Sequence, residues 1–195
     1  MKKKLIMVAS PPACGKTYVS ELIAKTVGHV VCLDKDDLRE LVEASFAAAG
    51  QPFDMDSEFY RNNLRDADYA TVLNIAYSTL RFEDIVLANS PFGREVRSIE
   101  RMRAIKEKAN ALGAELMLIW VTAPPEVAYE RMKKRNSDRD TLKLQNWEEF
   151  VKKQNFTPPY ELEESGAVDK FIVFDSADDA TFNASFEKTM QLIME

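Results

Sequence analysis

LIMVASPPACGKT, residues 5–17, joins an apolar run to a helix start through small residues and prolines. Leu5 to Val8 is apolar, and after the loop Gly15, Lys16 and Thr17 open a helical pattern. Val19, Leu22, Ile23 and Val27 fall on one stripe of that helix. Strand, tight loop, Gly-Lys-Thr and helix together read as the phosphate-binding loop of nucleoside-triphosphate enzymes. The physical reason is that a helix N-terminus offers backbone N–H groups without partners and the positive end of the macrodipole. The stretch Pro12, Ala13, Cys14, Gly15, Lys16, Thr17 and Tyr18 is therefore the candidate nucleotide-binding segment. Lys16 is expected on the β- and γ-phosphates, and the Thr17 hydroxyl on Mg²⁺. The full pattern is G-x-x-x-x-G-K-[ST], and Ser10 stands where its first glycine would be, although a turn leaving a strand prefers a residue without Cβ. Cys14 lies among the phosphate-binding N–H groups, where a helix N-terminus favours the thiolate, so a reactive thiol is expected.

Working outward, the chain of 195 residues fits one α/β domain, with 46% hydrophobic and 30% charged residues as in ordinary globular proteins. A net charge of −6 gives no diffuse attraction to nucleic acid or to an anionic membrane. Lys2, Lys3 and Lys4 precede only a short apolar run without a small-residue cleavage site, so no signal peptide is expected. No apolar stretch reaches membrane-spanning length. Two cysteines, Cys14 and Cys32, make no disulfide framework and no Cys/His metal spacing, so the expected home is the reducing cytoplasm.

Val30 to Leu33 reads as a second buried strand, ending in DKDDLRE, residues 34–40. Open parallel sheets bind ligands at the carboxyl ends of their strands, which makes Asp36, Asp37 and Arg39 the second cluster of interest. Asp34 or Asp36 also suits the N-cap of the helix that follows. Residues 38–81 read as a helical insert broken near Gly50 and Pro52, with Asp56 or Ser57 capping its second helix. Arg61 and Arg65, one turn apart, suit either a substrate anion or the solvent. DIVLAN, residues 84–89, is a third strand. Its last residue is Asn89, where such folds often carry an Asp for the Mg²⁺ water shell, so the metal must find its charge elsewhere. Leu116 to Val121 is a continuously apolar fourth strand. Pro124 and Pro125 open a helix carrying Arg131 and Arg135, and the break at Asn136-Ser137 before Arg139 suggests a mobile lid loop. KFIVFD, residues 170–175, is the fifth strand, and a terminal helix follows. Strands alternating with helices imply a five-stranded, doubly wound parallel sheet with right-handed crossovers.

The succession SPPACGKT, DKDDLR, LANSPF and RMKKRNSDRD resembles the small P-loop kinases over nearly the whole chain. It is most similar to their polynucleotide-kinase-like and zeta-toxin-like branch. The resemblance implies the strand order 2-3-1-4-5 of nucleoside-monophosphate-kinase-like folds and a single kinase domain over 1–195, with a substrate insert about 38–81 and a helical lid about 131–145. It implies that Asp36 is the general base toward the acceptor hydroxyl, with Arg39 on the acceptor side. It further implies that Arg131, Arg135 and Arg139 are lid arginines. The family pattern is departed from at Ser10, Cys14 and Asn89, and less so at Ala13. The expectation is an ATP- and Mg²⁺-dependent phosphotransferase acting on a hydroxyl of a small molecule or nucleotide, as a monomer or homodimer. Two alternatives stay open. One is a nucleotide-binding regulator or toxin-like protein with weak phosphoryl transfer, favoured by Asn89. The other is a 5′-hydroxyl polynucleotide kinase, against which net acidity and the lack of an aromatic-plus-basic track speak.

Overall fold

The apolar runs become strands of one parallel sheet in the computed structural model, which describes residues 2–195. The strands are β1 (Lys4–Ala9), β2 (Val31–Asp34), β3 (Ile85–Asn89), β4 (Glu115–Thr122) and β5 (Lys170–Asp175), and they lie in the order 2-3-1-4-5. Every neighbouring pair is parallel. The central strand β1 is buried along its whole length, which is why it reads as an unbroken apolar run rather than an alternating one. The edge strand β2 is short and only half-buried, as an edge exposed to pairing should be.

Each face of the sheet is sealed by helices whose apolar stripes match it. On one face Ile6, Val8, Leu87 and Ile119 meet Val19 and Ile23 of α1 (Lys16–Val27) and Ile193 of α9 (Asp179–Met194). On the other, Leu5, Met7, Val86 and Leu118 meet α3 (Arg65–Thr79) and α4 (Ile99–Ala111) through Val72, Leu73, Met102 and Ile105. Full burial of one such aliphatic side chain contributes about 1.5–3 kcal/mol, so the two layers together carry the fold. The helix starts are chemically marked: Ser98 caps α4, and Asp178 forms a reciprocal capping box with Thr181 at α9.

The insert divides differently from the sequence reading. Only its first part stands clear of the sheet. There α2 (Arg39–Ala48) and a π-helical turn at Tyr60–Leu64 share a satellite cluster of Val42, Phe46, Met55, Phe59 and Tyr60. The helix α3 belongs to the main core. The break expected within the lid also differs. Asn136 takes the left-handed conformation at φ 48° and caps α5 (Pro125–Arg135), and the chain then starts α6 (Asp138–Gln145) instead of a loop. Two further helices, α7 (Trp147–Lys153) and the single turn α8 (Glu161–Glu164), lead to β5. Among the described residues no helix is long and apolar enough to cross a membrane.

Candidate functional site

The loop after β1 owes its shape to Gly15, whose φ of 88° lies in the left-handed region that a Cβ disfavours. A Cβ built there would make only ordinary contacts, 3.8 Å from Arg131 Nη1 and 3.9 Å from Ser176 Oγ, so it is the backbone conformation, not crowding, that calls for glycine. Ala13 takes a similar conformation at φ 60°, a position where a side chain is strained. Ser10 has no positive φ, so the absent first glycine costs the turn nothing. Cys14 is fully buried, and burial pushes its thiol up to about 11. Desolvation outweighs the helix N-terminus here, and the expectation of a reactive thiolate is corrected.

Asn89 is the hub beneath this loop. Sheet register sets it beside Asp34 on β2 and Val8 on β1. Its Oδ1 accepts from Lys16 Nζ at 2.6 Å and from Ser20 Oγ at 3.2 Å, while its Nδ2 donates to Asp34 Oδ2 and, at 3.4 Å, to Thr17 Oγ1. An amide can accept on one side and donate on the other, which a carboxylate could not do toward Asp34. The negative charge missing at Asn89 is therefore present next door. Burial lowers the pKa of Lys16, a penalty on its charge that an arriving anion would offset.

Asp34 also shapes the acidic cluster. Its other oxygen accepts from the Asp36 backbone N–H at 2.9 Å, capping a 3₁₀ turn over Lys35–Leu38. That turn brings Asp36 to the cleft, whereas Asp37 is exposed and outside it. Lys35 is buried between Asp68 at 3.3 Å and Asp36 at 3.5 Å, and Tyr60 donates to Asp68 at 2.5 Å. The π turn makes this possible: its i→i+5 bond from Arg65 N to Tyr60 O leaves Tyr60 and Arg65, five residues apart, both facing inward. Burial, then the Asp68 carboxylate, holds the Tyr60 phenol well above its ordinary range. Arg39 is not brought in. It pairs with Glu43 at 2.7 Å and lies over the Phe53 ring.

From the opposite wall come the lid side chains. Arg131 donates to the hydroxyl and carbonyl of Ser176, and Ser176 Oγ in turn donates to the Cys14 carbonyl at 2.7 Å. Arg135 pairs with the buried Asp140 through Nε at 2.9 Å. Arg139 lies in α6, and its side chain is outside the described residues. Arg131, Arg135, Pro12 to Tyr18 and Asp36 thus line a single cleft of about 530 Å³.

A family model described as AAA domain matches residues 5–159, which takes in the acidic cluster, the phosphate loop and the lid. The chain belongs to this family. No curated protein matches it. Among solved structures it is similar to a presumed kinase of Chloroflexus aurantiacus j-10-fl, at 18% identity and TM-score 0.62 over 100% of this chain and 98% of the other. The shikimate kinase of Bacteroides thetaiotaomicron matches at 14% identity and TM-score 0.56, over 98% of this chain and 99% of that one. The APS kinase CysC of Mycobacterium tuberculosis, solved with AMPPNP and APS, matches at 15% and 0.57, over 100% and 99%. At these identities the likeness is one of fold: this AAA-domain chain has the architecture of small P-loop kinases.

Sequence reasoning missed several residues of this AAA-domain cleft. Ser20 was within reach, because it lies four residues after Lys16 on the same helix face. Ser176 and Asp68 carried no signal, since only tertiary packing brings them to the loop and the insert, whereas Asp140 lies only five residues from its partner Arg135.

Proposed function

We propose that the chain is an ATP- and Mg²⁺-dependent kinase that phosphorylates a hydroxyl of a small molecule or nucleotide. The observation that supports it best is the convergence of the phosphate loop, Asp36 and two arginines of α5 on one cleft. In this reading Lys16 and the loop amides hold the β- and γ-phosphates, charge-assisted contacts that fix the donor. Asp36 takes the proton of the acceptor hydroxyl as its oxygen approaches the γ-phosphorus. Arg131, adjacent to Gly15, and Arg135 neutralise charge that develops on the transferring group. Residues 1–195 form one kinase domain, with acceptor contacts drawn from the insert within 38–81 and closure from 131–145.

The residues present suit Mg²⁺. Thr17 Oγ1 and an Asp34 oxygen both meet the Asn89 amide, so a hydroxyl and a carboxylate lie together beside the phosphate loop. Among the described residues no three His, Cys, Asp or Glu side chains group as metal ligands, which suits an ion that keeps waters and phosphate oxygens. Bound there, Mg²⁺ would neutralise phosphate charge.

The second reading, a nucleotide-binding regulator or toxin-like protein with weak transfer, draws support from Asn89 and from Arg39 being turned to Glu43. The polynucleotide-kinase alternative is disfavoured by the net charge of −6. Asp36→Asn tests the base of the kinase reading. Acceptor-dependent ADP release, screened across alcohols, nucleosides, sugars, amino sugars and a 5′-hydroxyl oligonucleotide, is expected to fall about 10²–10⁴-fold in this variant. ATP affinity and Tm stay nearly unchanged, because Lys16 and the amides bind the nucleotide. Asp37→Asn is the control. Asp34→Asn is not, because Asp34 contacts Asn89 and caps the 3₁₀ turn. Full turnover by Asp36→Asn would remove Asp36 as the base, whereas ATP binding without any acceptor-dependent turnover in the native chain would favour the regulator.

A further inference from the structure

Arg131 is held beside the phosphate loop by a residue that no motif announces, and we propose that Ser176 is the positioning residue of the donor site. Its hydroxyl ties the guanidinium to the Cys14–Gly15 peptide. The place of the Arg131 charge and the direction of the Gly15 N–H are thereby both set before nucleotide arrives. This rests on the nucleotide-binding part of the kinase reading above and adds to it what presets the site.

The sheet fixes Ser176 first. Strands β4 and β5 pair with Thr122 beside Asp175, and the next residue, Ser176, donates its backbone N–H to the Thr122 carbonyl at 2.9 Å. The Asp175 carboxylate accepts from the Ala177 N–H at 2.9 Å, which turns the chain at this point, and the Asp175 N–H donates to Ser185 Oγ of α9 at 3.0 Å. Ser176 is 2% exposed. Its side chain thus enters the site from a paired strand end and not from the lid, and a group on such an element is held more exactly than one on a loop.

The hydroxyl joins two groups that matter. Ser176 Oγ accepts from Arg131 Nη1 at 3.0 Å and gives its own proton to the Cys14 carbonyl at 2.7 Å, the nearer of two carbonyls, that of Thr122 lying at 3.1 Å. The Ser176 carbonyl accepts from Arg131 Nη2. Both partners of this guanidinium are neutral, and no carboxylate among the described side chains pairs with it. Arg135, one turn further along α5, is instead paired with Asp140. The charge of Arg131 is therefore placed without being neutralised. The hold on Cys14 has a second effect. In a trans peptide the C=O and the N–H point in opposite directions, so fixing the Cys14 oxygen toward Ser176 fixes the Gly15 N–H away from it. Among the described residues that N–H meets no acceptor, and Cys14 and Gly15 both line the cleft. Donors fixed in advance need no reorganisation when an anion arrives.

The test uses the full chain and ATP·Mg²⁺, with affinity read by displacement of a fluorescent ATP analogue. Ser176→Ala keeps the backbone contacts and removes only the hydroxyl, and it should weaken ATP about five- to tenfold. Arg131→Ala should weaken it at least as much. In the Arg131→Ala background the same Ser176→Ala change should cost only about twofold, because its main partner has gone. A native affinity in Ser176→Ala, or an equal loss in both backgrounds, overturns the inference. Two spectroscopic readouts lie outside what a loss of stability would move. At saturating ATP·Mg²⁺ the Gly15 amide proton should move downfield in the native chain and less than half as far in Ser176→Ala; an equal displacement overturns the role at the loop. In the ligand-free native chain Arg131 should give separate Nη–H resonances, assigned by their loss in Arg131→Ala, because a guanidinium held on two oxygens rotates slowly. Averaged resonances overturn the inference even where Ser176→Ala does not fold. Absence of ATP binding by the native chain overturns the nucleotide reading itself, a failure distinct from all of these.

Discussion

Asn89 and Cys14 carry opposite lessons about single residues beside a phosphate loop. Asn89 looks like a loss when read along the chain, because a carboxylate is expected there. In the fold it exchanges hydrogen bonds with Lys16, Ser20, Thr17 and Asp34, and the carboxylate is one strand away. Neighbouring strands pair residues 55 apart in sequence, so no local pattern could report the substitute. Cys14 looks activated by the helix N-terminus and is instead shielded, with burial raising its thiol from an ordinary 9.0 to about 11. Two consequences follow from that shift. Neutral alkylating reagents should label exposed Cys32 first and Cys14 only on unfolding, as peptide mass spectrometry would show; equal rates would refute the burial argument. The pH dependence also has a definite sign. A thiol whose folded pKa is raised adds stability that is present below about pH 9 and is lost as pH rises toward 11. The loss amounts to about 2–3 kcal/mol. Cys14→Ala should therefore show a shallower fall in Tm across that window than the native chain.

At the scale of elements, the long apolar runs were legible because central parallel strands are buried on both faces, whereas the caps Ser98 and Asp178 that start α4 and α9 went unread. The π turn at Tyr60–Leu64 was not legible, since nothing in YRNNL distinguishes an i→i+5 bond from an α-helical one. The break in the lid was read as a loop for a related reason, although the helical lid implied by the resemblance agrees with α6. Asn136-Ser137 is a genuine break, but Asn tolerates the left-handed conformation, so the chain turns once and resumes as a helix. What holds that second helix is unusual. Leu142 is 73% exposed, and among the described residues α6 contributes none to the hydrophobic clusters. Its attachment rests on the Arg135–Asp140 pair and on Lys143 near Asp56. Arg135→Ala leaves Asp140 buried without its guanidinium. Because Arg135 is itself half-exposed, the expected cost is about 1–2 kcal/mol, below that of a fully buried pair. An element so weakly anchored opens locally before the core does. Limited proteolysis should cut within 136–145 several times faster in Arg135→Ala, and cutting at the native rate would mean that other contacts carry the lid.

For the whole molecule, the sheet order explains why distant segments converge. With β1 central and β3 between it and β2, the carboxyl ends of all three strands point to one edge. The phosphate loop, Asp36 and Asn89 meet there, while the lid and the Ser176 loop close from the β4–β5 side. The phosphate loop and the acidic strand end were legible because both are local motifs. On the opposite wall the lid arginines Arg131 and Arg135 were legible as well, but Ser176, which holds Arg131, was not, because packing alone brings it there. A site built on that edge should couple nucleotide binding to global stability, and the coupling tests the assignment without any acceptor. A ligand at about a hundred times its Kd stabilises the state that binds it by about 2.7 kcal/mol. For a chain of this size each kcal/mol moves Tm by roughly 2–4 °C, so saturating ATP·Mg²⁺ should raise Tm by roughly 5–11 °C. Lys16→Ala should abolish most of that rise while leaving the ligand-free Tm close to native, because Ala is a good helix former and Asn89 keeps its contacts with Ser20 and Asp34. Asp36→Asn should keep the full rise, since a base toward the acceptor does not hold the nucleotide. A native-size shift in Lys16→Ala would remove the loop from the binding site. A lost shift in Asp36→Asn would make Asp36 a nucleotide ligand and leave the reaction without its base.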